Sequence, residues 1–520
     1  VLGLFRSSRH LARLIGIALI LARHDALFPL DGLGSAAGLL WLARLVRRRR
    51  GPTPRPGERL AAALSEMGPS FIKLGQMLAT RADLLGDEVA LDLAQLQDRL
   101  PPFPAAEARA LIEAEFRRPL AGLFASFDDI AIAAASIAQV HFAVTTDGRE
   151  VAVKVLRPGI ARAVARDFDL FRWLARLIER AQPALRRLKP VEVVETLAQS
   201  VELEMDLRFE AAAASELAEN FAGDPSFLVP RVDWLRTGRA VLTTERVAGI
   251  RIDDREALIA AGISLPDLLR NAAETFFKQV FRDGFFHADQ HPGNLFVEPD
   301  GAVAAVDFGI MGRLDRDTRY YLADMLVGFL SGDYRRVAEV HFVAGYVPGR
   351  RSIDAFTQAC RSIGEPILGR PLHEISIARL LAQLFHVTEQ FEMETQPQLL
   401  LLQKTMMLVE GIGRRLDPSV NIWGLAQPLV EAWVRDNRGP EARLRQRIDT
   451  VLEIVDELPR LVRSLDKLFG DWAQEGVVLH AESLAEQAAH RARLLPLLVI
   501  PLWLAAAALV AIALALLFGR

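Results

Sequence analysis

At 520 residues the chain exceeds what one hydrophobic core usually holds, so two or three structural units are expected. A net charge of −3, with no basic stripe carrying interleaved aromatics, excludes nucleic acid as the obvious partner. The single cysteine, Cys360, excludes an intramolecular disulfide framework and suits a reducing compartment.

The first fifty residues alternate apolar and basic runs. A short apolar stretch at 14–22 follows Arg6, Arg9 and Arg13, and Arg23, Arg44 and the arginines at 47–50 flank its continuation. No small-residue cleavage site follows, so residues 1–50 read as amphipathic helices, either lying on an anionic membrane surface or presenting an ordinary solvated face. Gly51-Pro52-Thr53-Pro54-Arg55-Pro56-Gly57 then breaks the chain and marks the best domain boundary. Residues 58–100 have helical periodicity, and Ser70, behind Gly68-Pro69, is expected to cap a helix starting near Phe71. That helix carries Lys73-Leu74-Gly75-Gln76. Glycine inside a helix costs about 1 kcal/mol against alanine, so Gly75 predicts a close backbone approach. Pro101, Pro102 and Pro104 end the segment at 57–104.

Between 127 and 155 the apolar period changes from helical to alternating. A strand, a small-residue loop at Ala135-Ser136-Ile137-Ala138-Gln139, a second strand, a turn at Thr146-Asp147-Gly148 and a third strand ending near Lys154 are expected. Such a loop lets backbone N–H groups approach phosphate, although alanine allows less range than glycine. A helical stretch at 190–221 carries Glu204, Asp206 and Glu210, with Asp206 and Glu210 four apart on one face. Either Glu210 or Glu204 could serve as the ion-pair partner of a strand lysine. Residues 241–249 read as a strand running into a crossover, where Glu245 and Val247 would offer backbone groups to adenine.

The densest chemistry follows. His287-Ala288-Asp289-Gln290-His291-Pro292-Gly293-Asn294 precedes Asp307-Phe308-Gly309. An Asp, an Asn five residues on and a second Asp thirteen beyond match a kinase-type site. Asp289 would orient the attacking group, and Asn294 and Asp307 would hold Mg²⁺ on the phosphates of ATP. Leu295-Phe296-Val297 and 302–306, joined by Pro299-Asp300-Gly301, predict a hairpin that sets Asn294 beside Asp307. A helix is expected almost at once, capped by Asp315 or Asp317 with an apolar body at 320–330. No Ala-Pro-Glu follows, which leaves no long platform for a peptide and favours a small or lipid-like substrate, or ATP hydrolysis. Residues 316–490 read as helical, broken at Pro348-Gly349 and 366–371, with no chemistry to assign. Residues 494–518 then run 25 positions without a charge. As a helix they reach roughly 37 Å, enough to span a hydrocarbon core of about 30 Å. Arg491 and Arg493 before the run place the larger part on the cytoplasmic side.

In order, Lys73-x-Gly75-Gln76, Ala135-Ser136-x-Ala138-Gln139, Glu204-x-Asp206, the His287 to Asn294 motif and Asp307-Phe308-Gly309 resemble the atypical kinase-like family of UbiB, ABC1 and ADCK proteins, on its bacterial branch. The resemblance covers residues 56–312, with one departure at Ala213, where the family usually places Asn. It implies an α+β, two-lobed protein-kinase-like fold: a helical extension at 57–104, an N-lobe with inserted helices at 105–249, a helical C-lobe at 250–490 and a C-terminal transmembrane helix at 494–518. It further implies ATP and Mg²⁺ as cofactors, with Lys154 on the phosphates and the Lys73 helix across the mouth of the site, Lys73 facing Glu204 and Asp206. The family works in ubiquinone biosynthesis at the bacterial inner membrane. Membrane lipids, polyprenylated phenol or quinone precursors and the biosynthetic proteins are the partners it implies, and a homodimer stays open. An older hydroxylase label fits poorly, because no flavin fingerprint and no two-His-one-carboxylate iron set occurs. The competing readings are a catalytically silent nucleotide-binding scaffold and a soluble small-molecule phosphotransferase.

Overall fold

The computed structural model describes residues 2–27, most of 54–366 and most of 387–417, with a few positions up to 435. The apolar run at 494–518 lies outside the described residues, as do 28–53 and 436–490. Among the described residues no helix is long and apolar enough to cross a membrane.

Alternation builds the first lobe. Strands β1 (Phe124–Phe127), β2 (Ala133–Ala134), β3 (Ala138–Thr145) and β4 (Glu150–Leu156) are followed by β5 (Phe227–Leu228) and β6 (Val241–Glu245). They form an antiparallel sheet in the order β1-β3-β4-β6, with β2 on β3 and β5 lying elsewhere. Val151, Val153 and Val155 of β4 are fully buried against Ile112 and Ala108 of helix Ala105–Phe116. Successive residues of a strand face opposite ways, so Ala152 and Lys154 point to the other side of the sheet. Helices Ile160–Ala181, Pro190–Glu204 and Leu207–Asn220 lie between β4 and β6 in the chain.

The extension forms helices Pro56–Met67, Pro69–Ala79 and Asp87–Ala94. Its buried side chains, among them Leu60, Phe71, Ile72 and Leu93, share one core with Ile137, Ala138 and Leu156 of the sheet and Val201 of helix Pro190–Glu204. Gly75 is a close-approach glycine: a β-carbon there would stand 2.7 Å from Leu64 Cδ1. Ser70 departs from expectation. The helix begins two residues earlier than expected, at Pro69, whose fixed φ and missing N–H suit a first helical position, and Gly68 accepts the opening bonds through its carbonyl. The Ser70 side chain is buried inside the first turn instead of capping it. The N-terminal helix Leu2–Arg23 turns Ile17, Ile20 and Leu21 onto the same core, and His10 and Arg13 bond to Asp169 and Asp167. Its Ile15 and Leu19 remain exposed.

The second lobe contains short strands β7 (Ile250–Arg251), β8 (Phe285–His287), β9 (Leu295–Val297), β10 (Val303–Ala305) and β11 (Met311–Arg313). The expected hairpin is present, with Val303 opposite Val297, Ala305 opposite Leu295, and Val306 N–H donating to the Asn294 carbonyl at 2.8 Å. β10 also takes β5 as a parallel neighbour and β9 takes β7, while β8 pairs with β11. Gly312 faces Phe286 across that last pair, and a β-carbon on it would fall 2.1 Å from the Phe286 ring. Helix Leu265–Phe277 runs directly into a π-helical turn, Lys278–Asp283, stopped by Gly284 at φ +66°. Helices Arg316–Ser331, Tyr334–Val343 and Ile353–Gly364 then surround Tyr334, Phe356 and Phe391, with Pro348-Gly349 breaking the last two apart. Asp315, not Asp317, caps the first of them by accepting from Thr318 N–H at 2.7 Å. Ala213 packs partly buried against the core around Phe221 and Phe308, so the departure from the family's Asn leaves that helix regular.

Candidate active site

The open face of β4 presents Lys154, and helix Leu207–Asn220 presents Glu210 from its first turn. Asp206 sets the start of that helix by accepting from Arg208 N–H at 3.2 Å. Lys154 Nζ donates to Glu210 Oε1 and Oε2 at 2.8 and 3.0 Å and to Asp307 Oδ1 at 3.0 Å. Of the two glutamates left open by the sequence, Glu210 is therefore the partner of Lys154. Glu204, on the preceding helix, accepts from Lys73 at 2.8 Å instead.

One cation here faces two carboxylates, and burial decides how the charge is shared. Glu210 keeps 8% of its side-chain surface and Asp307 keeps 44%. Burial pushes Glu210 up to about 7 despite the pull of Lys154. Burial also pushes Asp307 up, but Lys154 outweighs it and holds that carboxyl well below the usual range. Burial pulls Lys154 down, while Asp307 and Glu210 hold it above its ordinary value. Asp307 has φ +67°, a left-handed conformation that aspartate tolerates better than bulkier residues and that costs of order 1 kcal/mol. Gly309 N–H donates to its Oδ1 at 3.3 Å and helps fix the carboxylate.

The loop after β8 carries the remaining groups. Asn294 Nδ2 donates to the Asp289 carbonyl at 3.1 Å and to Asp289 Oδ2 at 3.4 Å. This leaves the amide oxygen, the atom a hard cation takes. His287 is fully buried; burial pulls its pKa down, and its Nδ1 accepts from Asp289 N–H at 3.2 Å. His291 Nδ1 accepts from Gly293 N–H at 3.1 Å. Both imidazoles shape the loop through these bonds.

Among the described residues no cluster of three or more His, Cys, Asp or Glu side chains could hold a metal by itself. A carboxylate and an amide oxygen completed by phosphate oxygens are the donor set that Mg²⁺ accepts. The residues present thus fit a magnesium–nucleotide group.

The small-residue loop differs in part from expectation. Ser136, Ile137, Ala138 and Gln139 are buried, while Ala135 is half-exposed. Gln139 faces inward. Its Oε1 accepts from Phe103 N–H at 2.8 Å, and its Nε2 donates to the Phe103 carbonyl at 3.2 Å. Arg157 donates to the Ala135 carbonyl through Nε and Nη2 at 3.0 and 2.9 Å and to Pro101 at 2.9 Å. Any backbone contact to phosphate therefore comes from a loop clamped to the end of the extension. Gln76 lies half-buried on the Lys73 helix. At the crossover, Glu245 and Val247 are half-buried, and Gly249 passes where a β-carbon would meet the Val297 carbonyl at 2.7 Å.

Two contributors were not legible in the sequence. Gln279, in the π-helical turn, accepts from His287 N–H at 2.9 Å and anchors the end of β8. Lys404, in helix Pro397–Leu416, donates to Asp289 Oδ1 at 2.9 Å. The π turn is invisible to periodicity, and Lys404 stands 115 residues from its partner.

A sheet lysine paired to a helix glutamate, above a loop Asp and Asn and a second Asp after a hairpin, defines an atypical kinase-like site. Comparison with known families matches residues 95–341 to the ABC1 atypical kinase-like domain and residues 360–421 to the UbiB helical domain. The chain is 44% identical over 461 residues to the probable protein kinase UbiB of Marinobacter nauticus, covering 87% of this chain and 84% of the relative. It is 42% identical to the Aeromonas salmonicida protein of the same name, covering 85% and 86%. Among solved structures it resembles the Rv3197–erythromycin complex from Mycobacterium tuberculosis, with a TM-score of 0.50 at 25% identity, over 77% of this chain and 96% of that one. The chain belongs to the UbiB family of ABC1 atypical kinase-like proteins.

Proposed function

We propose that this protein is a magnesium- and ATP-dependent kinase-like enzyme that supports ubiquinone biosynthesis at the bacterial inner membrane, held there by residues 494–518. The observation that carries the reading is the Lys154–Glu210–Asp307 cluster, beside a hairpin in which Val306, next to Asp307, bonds to Asn294, itself bonded to Asp289. When bound, magnesium–ATP supplies an activated phosphoryl group. Lys154 would contact its phosphates, Glu210 fixes the lysine, Asn294 and Asp307 would hold the metal, and Asp289 would orient water or a substrate hydroxyl. From Gly309 to Arg316, where the next helix starts, only six residues intervene, three of them in β11. So short a connection offers no platform for an extended peptide, which favours polyprenylated phenols or their biosynthetic complex as the object of the chemistry.

The test is quinone and precursor content in a deletion strain carrying wild-type protein or Asp307→Asn at matched membrane levels. Rescue by wild type alone is expected. Equal rescue by both would favour a nucleotide-binding scaffold, and normal quinone in the deletion itself would remove the pathway.

A further inference from the structure

The loop that should manage a transferring phosphoryl group has no cation of its own. From His287 through Gly312 the sequence contains neither lysine nor arginine. Lys154, on the facing lobe, is already engaged with Glu210 and Asp307. Phosphoryl transfer spreads negative charge over the equatorial oxygens, and positioned cations lower its barrier more than any other protein feature.

We propose that Lys404, from the helical region beyond the kinase-like domain, is the cation that holds the transferring phosphoryl group. This rests on the phosphoryl-transfer reading above. Its Nζ lies 2.9 Å from Asp289 Oδ1, on the carboxylate that orients the attacking oxygen. An ammonium has three donors, and the bond to Asp289 uses one. An attacking oxygen held on Asp289 stands within roughly two hydrogen-bond lengths, about 6 Å, of that nitrogen, and the phosphoryl group it attacks lies next to that oxygen.

The helix behind Lys404 is seated, so the contact is not a chance of a loose side chain. Thr405 is fully buried and Leu402 nearly so. Leu402 packs with Phe286 and Ala288 beneath the catalytic loop, and Ile412 and Leu416 pack with Phe308. Arg255 Nε donates to the Leu416 carbonyl at 3.1 Å. Lys404 itself keeps 46% and Asp289 32% of their side-chain surface, so the pair opens toward a substrate. The arrangement assigns the helical region a catalytic part: it completes the site with a charge that the catalytic loop lacks.

The experiment uses full-length protein in lipid nanodiscs, comparing Lys404→Met, Lys404→Arg and wild type for ATP turnover and for Mg-ADP affinity. Lys404→Met should lower kcat by about 10²-fold. Its Mg-ADP affinity and thermal midpoint should stay near wild type, and Lys404→Arg should recover much of the rate. A kcat within threefold of wild type overturns the proposal, and so does a rise, which would make Lys404 a restraint. Equal loss of Mg-ADP affinity and rate also overturns it, because the lysine would then serve ground-state binding or folding. If Lys404→Met fails to fold, Lys404→Gln takes its place under the same criteria. Asp307→Asn runs in parallel: should wild type show no turnover, or Asp307→Asn match it, the phosphoryl-transfer reading itself fails. A deficit confined to Asp307→Asn sinks only the role of Lys404.

Discussion

Replacing Lys73 by methionine leaves the Glu204 carboxylate in a site built around a cation. The two groups stand 2.8 Å apart, with 9% and 16% of their side chains exposed. Breaking one side of a buried pair costs about 3–5 kcal/mol, because the remaining charge keeps its desolvation without its partner. The residual exposure of Glu204 lets water recover part of this, which leaves about 2–4 kcal/mol. At about 2 °C per kcal/mol for a large domain, the thermal midpoint should fall on the order of 5 °C. Lys73→Met/Glu204→Leu removes both charges and should recover most of the loss, since apolar replacement of a whole buried pair is often near neutral. Thermal unfolding of the four proteins at one scan rate gives the coupling. Additive losses would refute the argument by showing that the two residues act independently. The same variants report on restraint. If the Lys73 helix limits access to the site, Lys73→Met should raise ATP turnover, and unchanged turnover with unchanged nucleotide affinity removes that role.

Two further outcomes follow from the geometry. Gly312→Ala places a methyl group inside the ring of Phe286, which is fully buried and unable to turn aside, so a loss of several kcal/mol in stability is expected. Adding Phe286→Leu should recover part of it, and a wild-type midpoint for Gly312→Ala alone would refute the packing. Glu210 has a folded-state pKa raised from 4.5 to about 7. Its contribution to stability is therefore complete below about 4.5 and lost as pH rises through about 7. The midpoint of wild type minus that of Glu210→Gln should be larger at pH 5 than at pH 7.5, and the reverse order would contradict the assignment.

Much of the site was legible because its residues are close in sequence or sit on short-period elements. Asp289, Asn294 and Asp307 fall within nineteen positions, and the hairpin between them follows from two apolar runs and a Pro-Asp-Gly turn. Lys154 was legible from strand alternation only in company with the Asp and Asn motifs downstream, since a lone lysine near a strand end reads as solvated. Its partner was not: Glu204 and Glu210 differ by six residues, and only the break between their helices at Met205-Asp206 sends one to Lys73 and the other to Lys154. Gln139 reads in the sequence as a loop residue facing phosphate, because its position in a small-residue run carries no sign of which way the amide turns. Lys404 had no local signature at all. One lysine on an amphipathic helix looks like any solvated residue until the fold brings it against Asp289.

The Gln139 side chain exchanges a pair of hydrogen bonds with the N–H and carbonyl of one residue, Phe103, much as a neighbouring strand would. In effect the sheet gains a rung made from an amide side chain, and the end of the extension is stitched to it. Arg157 adds a second stitch from the Ala135 carbonyl to Pro101. The extension and the loop thus form one lever. A displacement of Pro101 or Phe103 would therefore arrive at the loop directly, with little slack between.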